Sequence, residues 1–229
     1  MIYICGDSFC SQDKEYGQSW VDLLMQKTSN KIVNLSRPGA SNYLIYLQVK
    51  QALANNATHI IYQATSSIRH EFSIESINAG KDSINRYWNV LDPNNDKKTI
   101  CTSWSTPLNN TPSNFKNELT EIYEFGVRFL DLPSTIEKNY IYILFTLRLM
   151  QENKNLHRWA WSQGGFEHKK FNPIGNWDFS QFRQYESKIN LWDYHCSSAL
   201  RPYYHITDIK IHQDVCNVYY DMLQLQNNL

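Results

Sequence analysis

Ile2-Tyr3-Ile4-Cys5-Gly6-Asp7-Ser8-Phe9 opens the chain with a short β-branched and aromatic run that stops at a glycine. Such a run reads as a buried strand ending in a turn, and the segments after it set the fold. Ser19 to Lys27 is amphipathic, with Trp20, Leu23 and Leu24 at helical spacing and Trp20 and Leu24 facing inward. Lys31-Ile32-Val33-Asn34-Leu35 is a second strand, stopped by Arg37-Pro38-Gly39. Leu44, Leu47, Val49 and Leu53 predict a helix from Asn42 to Leu53, and Thr58 to Ala64 a third strand. Strand, helix, strand, helix, strand with short connections predicts right-handed crossovers in a parallel sheet.

Beyond the third strand the pattern is looser. Residues 92–114 are rich in Asn, Pro, Ser and Thr and predict an irregular surface insertion. A disordered linker between two domains is the alternative, against which Trp104 argues for docking. Leu119 to Phe129 and Ser134 to Gln151 read as two helices separated by Pro133. Leu156-His157-Arg158-Trp159-Ala160-Trp161 alternates and predicts a fourth strand, and Gly164 to Trp177 reads as a loop. Ile211, Val215, Val218, Met222 and Leu225 form one stripe, so a terminal helix is expected from Asp208 to Leu225, with Thr207 as its N-cap. No internal repeat is visible. The expected fold is one α/β domain over residues 1–229, in three α/β/α layers, with a flavodoxin-like, doubly wound parallel sheet of about five strands.

Composition narrows the function classes. The 229 residues carry 22 Lys+Arg against 22 Asp+Glu, so the formal net charge is zero. A neutral chain gives no electrostatic reason to expect a nucleic-acid or anionic-membrane partner. With 42% hydrophobic and 14% aromatic residues, long disorder is excluded. The N-terminus has no basic segment or apolar run of signal-peptide length. The longest greasy stretch, Tyr140 to Leu149, stops short of a membrane span, so a cytoplasmic protein is expected. Cys5, Cys10, Cys101, Cys196 and Cys216 are scattered without a Cys-x-x-Cys pair and read as free thiols rather than a disulfide framework or zinc knuckle.

Ligands of parallel α/β sheets sit beyond the carboxyl ends of the strands. Gly6-Asp7-Ser8-Phe9 follows the first strand, Ser36-Arg37-Pro38-Gly39-Ala40-Ser41-Asn42-Tyr43 the second, and Thr65-Ser66-Ser67-Ile68-Arg69 the third. Tyr204-His205-Ile206-Thr207-Asp208 precedes the terminal helix. A hydroxyl, a glycine with its backbone N–H, further polar groups and a histidine on one rim are the inventory for acyl transfer. Arg69 would face this cleft, either to bind an anionic group or to pair with Asp7, Glu71 or another neighbour, the pairing being preferred. His70 is equally ambiguous. His195, close to Asp193, has no second histidine or cysteine at ligand spacing, so no metal is expected. No Gly-rich phosphate loop opens a helix, which disfavours a nucleotide-binding protein, and no cofactor is expected.

On these residues the chain resembles the SGNH/GDSL hydrolases, a family of serine esterases and lipases. Gly6-Asp7-Ser8 is similar to the family's first block, and Gln18-Ser19-Trp20 to Leu24 to the helix after that block. Asn34-Leu35-Ser36-Arg37-Pro38-Gly39-Ala40-Ser41-Asn42 is similar to the second block, centred on the glycine. The likeness runs from the first strand to the third and is weaker at the C-terminus. It implies Ser8 as nucleophile, the backbone N–H groups of Ser8 and Gly39 as oxyanion donors, and His205 as the base. Asp7, Asn42 and Arg69 complete the expected substrate-binding set. Where the family's third block supplies an Asn side chain, this chain reads Gln63-Ala64-Thr65-Ser66, so a Thr65 or Ser66 hydroxyl would donate instead. The family's last block is Asp-x-x-His, yet Pro202 stands three before His205. His212, with Asp208 four residues before it and Asp214 as cap of a shorter helix, offers a competing register. His205 is preferred because Ile211 belongs to the apolar stripe and places His212 inside the helix. The expected activity is cleavage of a small acyl (O-acetyl) ester. Trp88, Trp104, Trp159, Trp161 and Trp177 favour a carbohydrate as its carrier, so the expected partner is a small-molecule or glycan ester, with oligomeric state left open. The alternative is a non-catalytic glycan-binding or structural module on the same scaffold.

Overall fold

The computed structural model describes residues 1–10, 18–37, 39–65, 67, 69–73, 99–103, 132–153, 157–162 and 208–227. In chain order its elements are β1 (Ile2–Cys5), α1 (Trp20–Lys27), β2 (Ile32–Asn34), α2 (Asn42–Ala54), β3 (His59–Ala64), β4 (Arg69–Ser73), β5 (Thr99–Ser103), α3 (Leu132–Glu152), β6 (His157–Ser162) and α4 (Ile209–Asn227). The expected opening rhythm of strands and helices is present.

β1 lies between β2 and β3, and β6 extends the sheet beyond β3, giving the order β2-β1-β3-β6 with every pairing parallel. Ile2 stands opposite Ile32 on one side and His59 on the other. All four residues of β1 are buried, as expected of a parallel strand covered on both faces. The faces divide by the strand period of two. Tyr3 and Cys5, with Ile60, Tyr62 and Ala64 of β3, pack against Leu44, Ile45 and Val49 of α2 and Ile143 and Leu147 of α3. Ile2, Ile4 and Ile61 point the other way, onto Trp20, Val21 and Leu24 of α1 and Val215, Tyr219 and Leu223 of α4. The sheet therefore carries a pair of helices on each side. No helix among the described residues is long and apolar enough to cross a membrane.

Several boundaries differ from the sequence reading for identifiable reasons. Residues 92–114 are not irregular throughout: Thr99–Ser103 forms β5, antiparallel to β4, with Arg69 opposite Ser103. Thr99-Ile100-Cys101-Thr102 is a β-favouring run hidden among turn formers. Arg69 correspondingly opens a strand rather than ending a loop. Pro133 lies inside the first turn of α3 instead of before it, where a missing N–H breaks no intrahelical bond. α4 starts after Asp208, whose Oδ1 accepts from Lys210 N at 2.9 Å, so Asp208 supplies the cap expected of Thr207. The buried seam of α4 is Val215, Cys216, Tyr219 and Leu223, with Ile211, Val218 and Met222 along its flank. A stripe drawn through aliphatic residues alone missed Cys216 and Tyr219. The expected helix over 119–129 and loop over 164–177 lie outside the described residues, as does Thr207.

Candidate functional site

The site is built from the three loops that leave the carboxyl ends of β1, β2 and β3. After β1 the chain turns at once. Asp7 O accepts from Cys10 N at 3.1 Å, and Asp7 Oδ1 accepts from Phe9 N at 3.0 Å, so an Asx-type turn holds half-buried Ser8 at its corner. Gly6 N donates to Gln48 Oε1 at 2.8 Å and Asp7 N to Gln63 Oε1 at 3.0 Å, both buried. A side chain at position 6 would set its Cβ 2.7 Å from Gln63 Oε1, so only glycine admits that amide. The second loop is tied to the first by Arg37 N donating to Gly6 O at 3.1 Å. It then turns through Gly39 at a φ of 75°, a left-handed conformation that favours glycine, into the Ser41 cap of α2.

Asp7 joins all three loops. Its carboxylate is fully buried, yet each oxygen is occupied: Oδ2 accepts from Thr65 Oγ1 at 2.6 Å and lies 2.9 Å from Arg69 Nη1, while Oδ1 takes Phe9 N–H. A charge removed from water survives only with such partners. Arg69 Nη1 also donates to Ala40 O at 3.1 Å, which fastens β4 onto the second loop. Asn42 is equally sealed: Oδ1 accepts from Thr65 N at 2.9 Å, and Nδ2 donates to Thr65 O and to Asn139 Oδ1. Asn139 of α3 passes the connection on to Arg69 O and Thr135 O.

This geometry reassigns several expected site residues. Asp7 and Asn42 are buried clamps, not substrate contacts, because their polar atoms face one another's loops. Thr65 is not a free hydroxyl donor, since its single O–H proton goes to Asp7. Of the partners left open for Arg69 in the preferred ion-pair reading, Asp7 is the one it meets. Asp208 is exposed and caps α4, which withdraws it from orienting a histidine. His212 lies in the first turn of α4, where its Nδ1 accepts from Trp20 N at 3.1 Å. A neutral imidazole that accepts at Nδ1 carries its proton on Nε2, so His212 in this state has no nitrogen left to act as a base. Ser66, Pro202 and His205, and Trp88, Trp104 and Trp177, lie outside the described residues.

Other groups escaped the sequence reading. Gln63 and Gln48 are fully buried amides that support the first loop; a glutamine amid β-branched and aromatic residues, as in Ile60-Ile61-Tyr62-Gln63, was the available signal. Alternation along β4 turns Arg69 toward the second loop and His70 the other way, where its Nε2 meets Thr135 Oγ1 at 2.9 Å. Burial and the charge of Lys138 hold His70 below its ordinary pKa. Glu71 reaches Ser41, and burial pushes its carboxyl up against the opposing effect of that hydrogen bond. Beyond it, Tyr43, Tyr46 and Tyr142 form a half-buried aromatic cluster, with Tyr43 and Tyr142 4.8 Å apart and Lys50 over the Tyr46 ring. Cys10, two residues after Ser8, is no nucleophile: burial first, then the charge of Asp7, hold its thiol protonated. Among the described residues no group of three His, Cys, Asp or Glu side chains is placed to hold a metal ion.

Comparison with known proteins adds no relative: no family model, curated protein or solved structure matches the chain.

Proposed function

We propose that the chain is an SGNH-type ester hydrolase that removes a small acyl group, such as O-acetyl, from a carbohydrate through an acyl-Ser8 intermediate. The observation that carries this reading is the Ser8 turn, which ends β1 at the ligand-binding edge of the sheet and is locked to the left-handed Gly39 turn through Asp7, Arg69 and Ala40 O. In the reaction Ser8 Oγ bonds to the acyl carbon while its proton passes to an imidazole, assigned to His205. The carbonyl electron pair moves onto oxygen, facing the Ser8 and Gly39 N–H groups. The alcohol leaves with the proton, and water then hydrolyses the Ser8 ester by the same route. The order β2-β1-β3-β6, with helices on both faces, supports a three-layer, flavodoxin-like doubly wound sheet. The Tyr43, Tyr46 and Tyr142 cluster supports a sugar-bearing substrate, since half-buried rings can stack on a pyranose face.

A second reading is a glycan-binding module without catalysis. It is favoured by the commitment of Thr65 and Asn42 to internal bonds, which leaves neither as an oxyanion donor. Hydrolysis of p-nitrophenyl acetate separates the two. The purified chain is expected to turn the ester over and to be labelled by a fluorophosphonate at Ser8, with both signals abolished by Ser8→Ala. Equal rates in parent and variant would discard the hydrolase.

A further inference from the structure

Arg69 touches the chain on either side of the reaction centre. Its Nη1 meets Asp7 Oδ2 at 2.9 Å and Ala40 O at 3.1 Å. Asp7 immediately precedes Ser8, and Ala40 immediately follows Gly39. The guanidinium is thus anchored by the direct neighbours of both residues whose N–H groups would face the oxyanion. A guanidinium is rigid and planar and carries five N–H donors, of which these two acceptors engage only those on Nη1. Nη2 and Nε have no hydrogen-bond partner among the described residues. Neither is a sealed, unsatisfied atom, and the side chain keeps 16% exposure, so that edge opens to solvent.

We infer that Arg69 is a catalytic residue, its open Nη2 and Nε edge donating to the oxygen of the scissile carbonyl as negative charge develops there. The inference rests on the hydrolase reading above. Thr65 and Asn42, the neighbouring polar side chains, have their protons committed to Asp7, Thr65 O and Asn139. Arg69 keeps donors for a ligand. Asp7 balances its charge in the resting site, so a neutral ester is not disfavoured, and the added hydrogen bond strengthens only as the oxygen becomes anionic. Stabilisation confined to the transition state raises kcat without tightening substrate binding. Arg69 transfers no proton: the serine proton goes to the imidazole and on to the departing alcohol, while Arg69 only donates hydrogen bonds to the oxygen that receives the carbonyl pair.

Arg69→Lys tests this, because an ammonium can still face Asp7 and Ala40 O but has no second edge to present. For p-nitrophenyl acetate, kcat is expected to fall on the order of 10²–10³-fold with KM close to that of the parent. The rate of fluorophosphonate labelling should fall with it, since that reaction also builds charge on oxygen. A thermal melt checks that the variant is folded. Should it melt early, kcat is measured well below its melting point, where the chain is folded, against the parent at the same temperature, and the same fall is the expected result. A folded Arg69→Lys chain with parental kcat overturns the assignment while leaving the hydrolase reading intact. A parent chain without Ser8-dependent turnover overturns both, and is recognised before any Arg69 variant is compared.

Discussion

At the scale of single residues the site depends on polar groups removed from water and supplied with partners. Asp7 was legible as part of Gly6-Asp7-Ser8, but its role was not: the tripeptide suggests a substrate contact, whereas the carboxylate is a buried tie between three loops. Breaking such a pair by removing one partner typically costs about 3–5 kcal/mol, which is why Arg69 is better tested as lysine than as a neutral residue. Glu71 gives the opposite case, a carboxyl that burial disfavours in its charged form. Its folded pKa lies above its ordinary value of 4.5, so the folded chain holds this proton more tightly than the unfolded chain. The group's contribution to stability is therefore full below the ordinary value and is lost as pH rises through the raised folded one. Glu71→Gln keeps the neutral form at every pH. It is expected to raise Tm at neutral pH, with the gap narrowing as the solution is acidified toward 4.5 and closed below it. Thermal melts of both chains across that range check the sign, and a variant that melts earlier at neutral pH would show that the charged form is the favoured one.

At the scale of elements, α1 illustrates how local sequence and distant contacts share one helix. Its start is local: Ser19 Oγ accepts from Asp22 N at 3.2 Å and Asp22 Oδ2 accepts from Ser19 N at 3.0 Å, a reciprocal capping box. Ser19→Ala is expected to lower stability by about 1 kcal/mol, read as a shifted denaturant midpoint at unchanged slope; an unmoved midpoint would mean that tertiary packing alone holds the helix start. The next N–H, that of Trp20, is satisfied from α4 by His212 Nδ1. Trp20 and Tyr219 stack with ring centroids 4.9 Å apart, and Lys27 Nζ reaches Asn217 Oδ1 at 2.6 Å. The apolar faces of α1, α2 and α4 were legible because the helical period repeats over several turns. β4 and β5 were not: Arg69-His70-Glu71-Phe72-Ser73 carries a single apolar residue, Thr99–Ser103 sits among turn formers, and their pairing joins distant parts of the chain.

At the scale of the whole molecule, the parallel sheet separates two cores, one on each face of β1 and β3. Leu24 lies in one and Leu44 in the other, both fully buried. Leu24→Ala and Leu44→Ala should each cost about 2–5 kcal/mol, and the double variant should equal their sum to within about 0.5 kcal/mol, as for sites with no shared partners. Urea denaturation of the four chains measures it, and a clear departure from additivity would mean that the sheet transmits repacking from face to face. The alternating strands, the helical stripes and the glycines at positions 6 and 39 follow from the sequence by itself, because residue periodicity and backbone freedom are local properties of the chain. Those local properties set a parallel α/β sheet with Ser8 and Gly39 at one edge. Only the tertiary structure decided that Asp7 meets Arg69, that Thr65 is committed to Asp7, and that His212 caps α1. A buried donor takes whichever acceptor the folded chain brings within about 3 Å, and no period in the sequence encodes which that is.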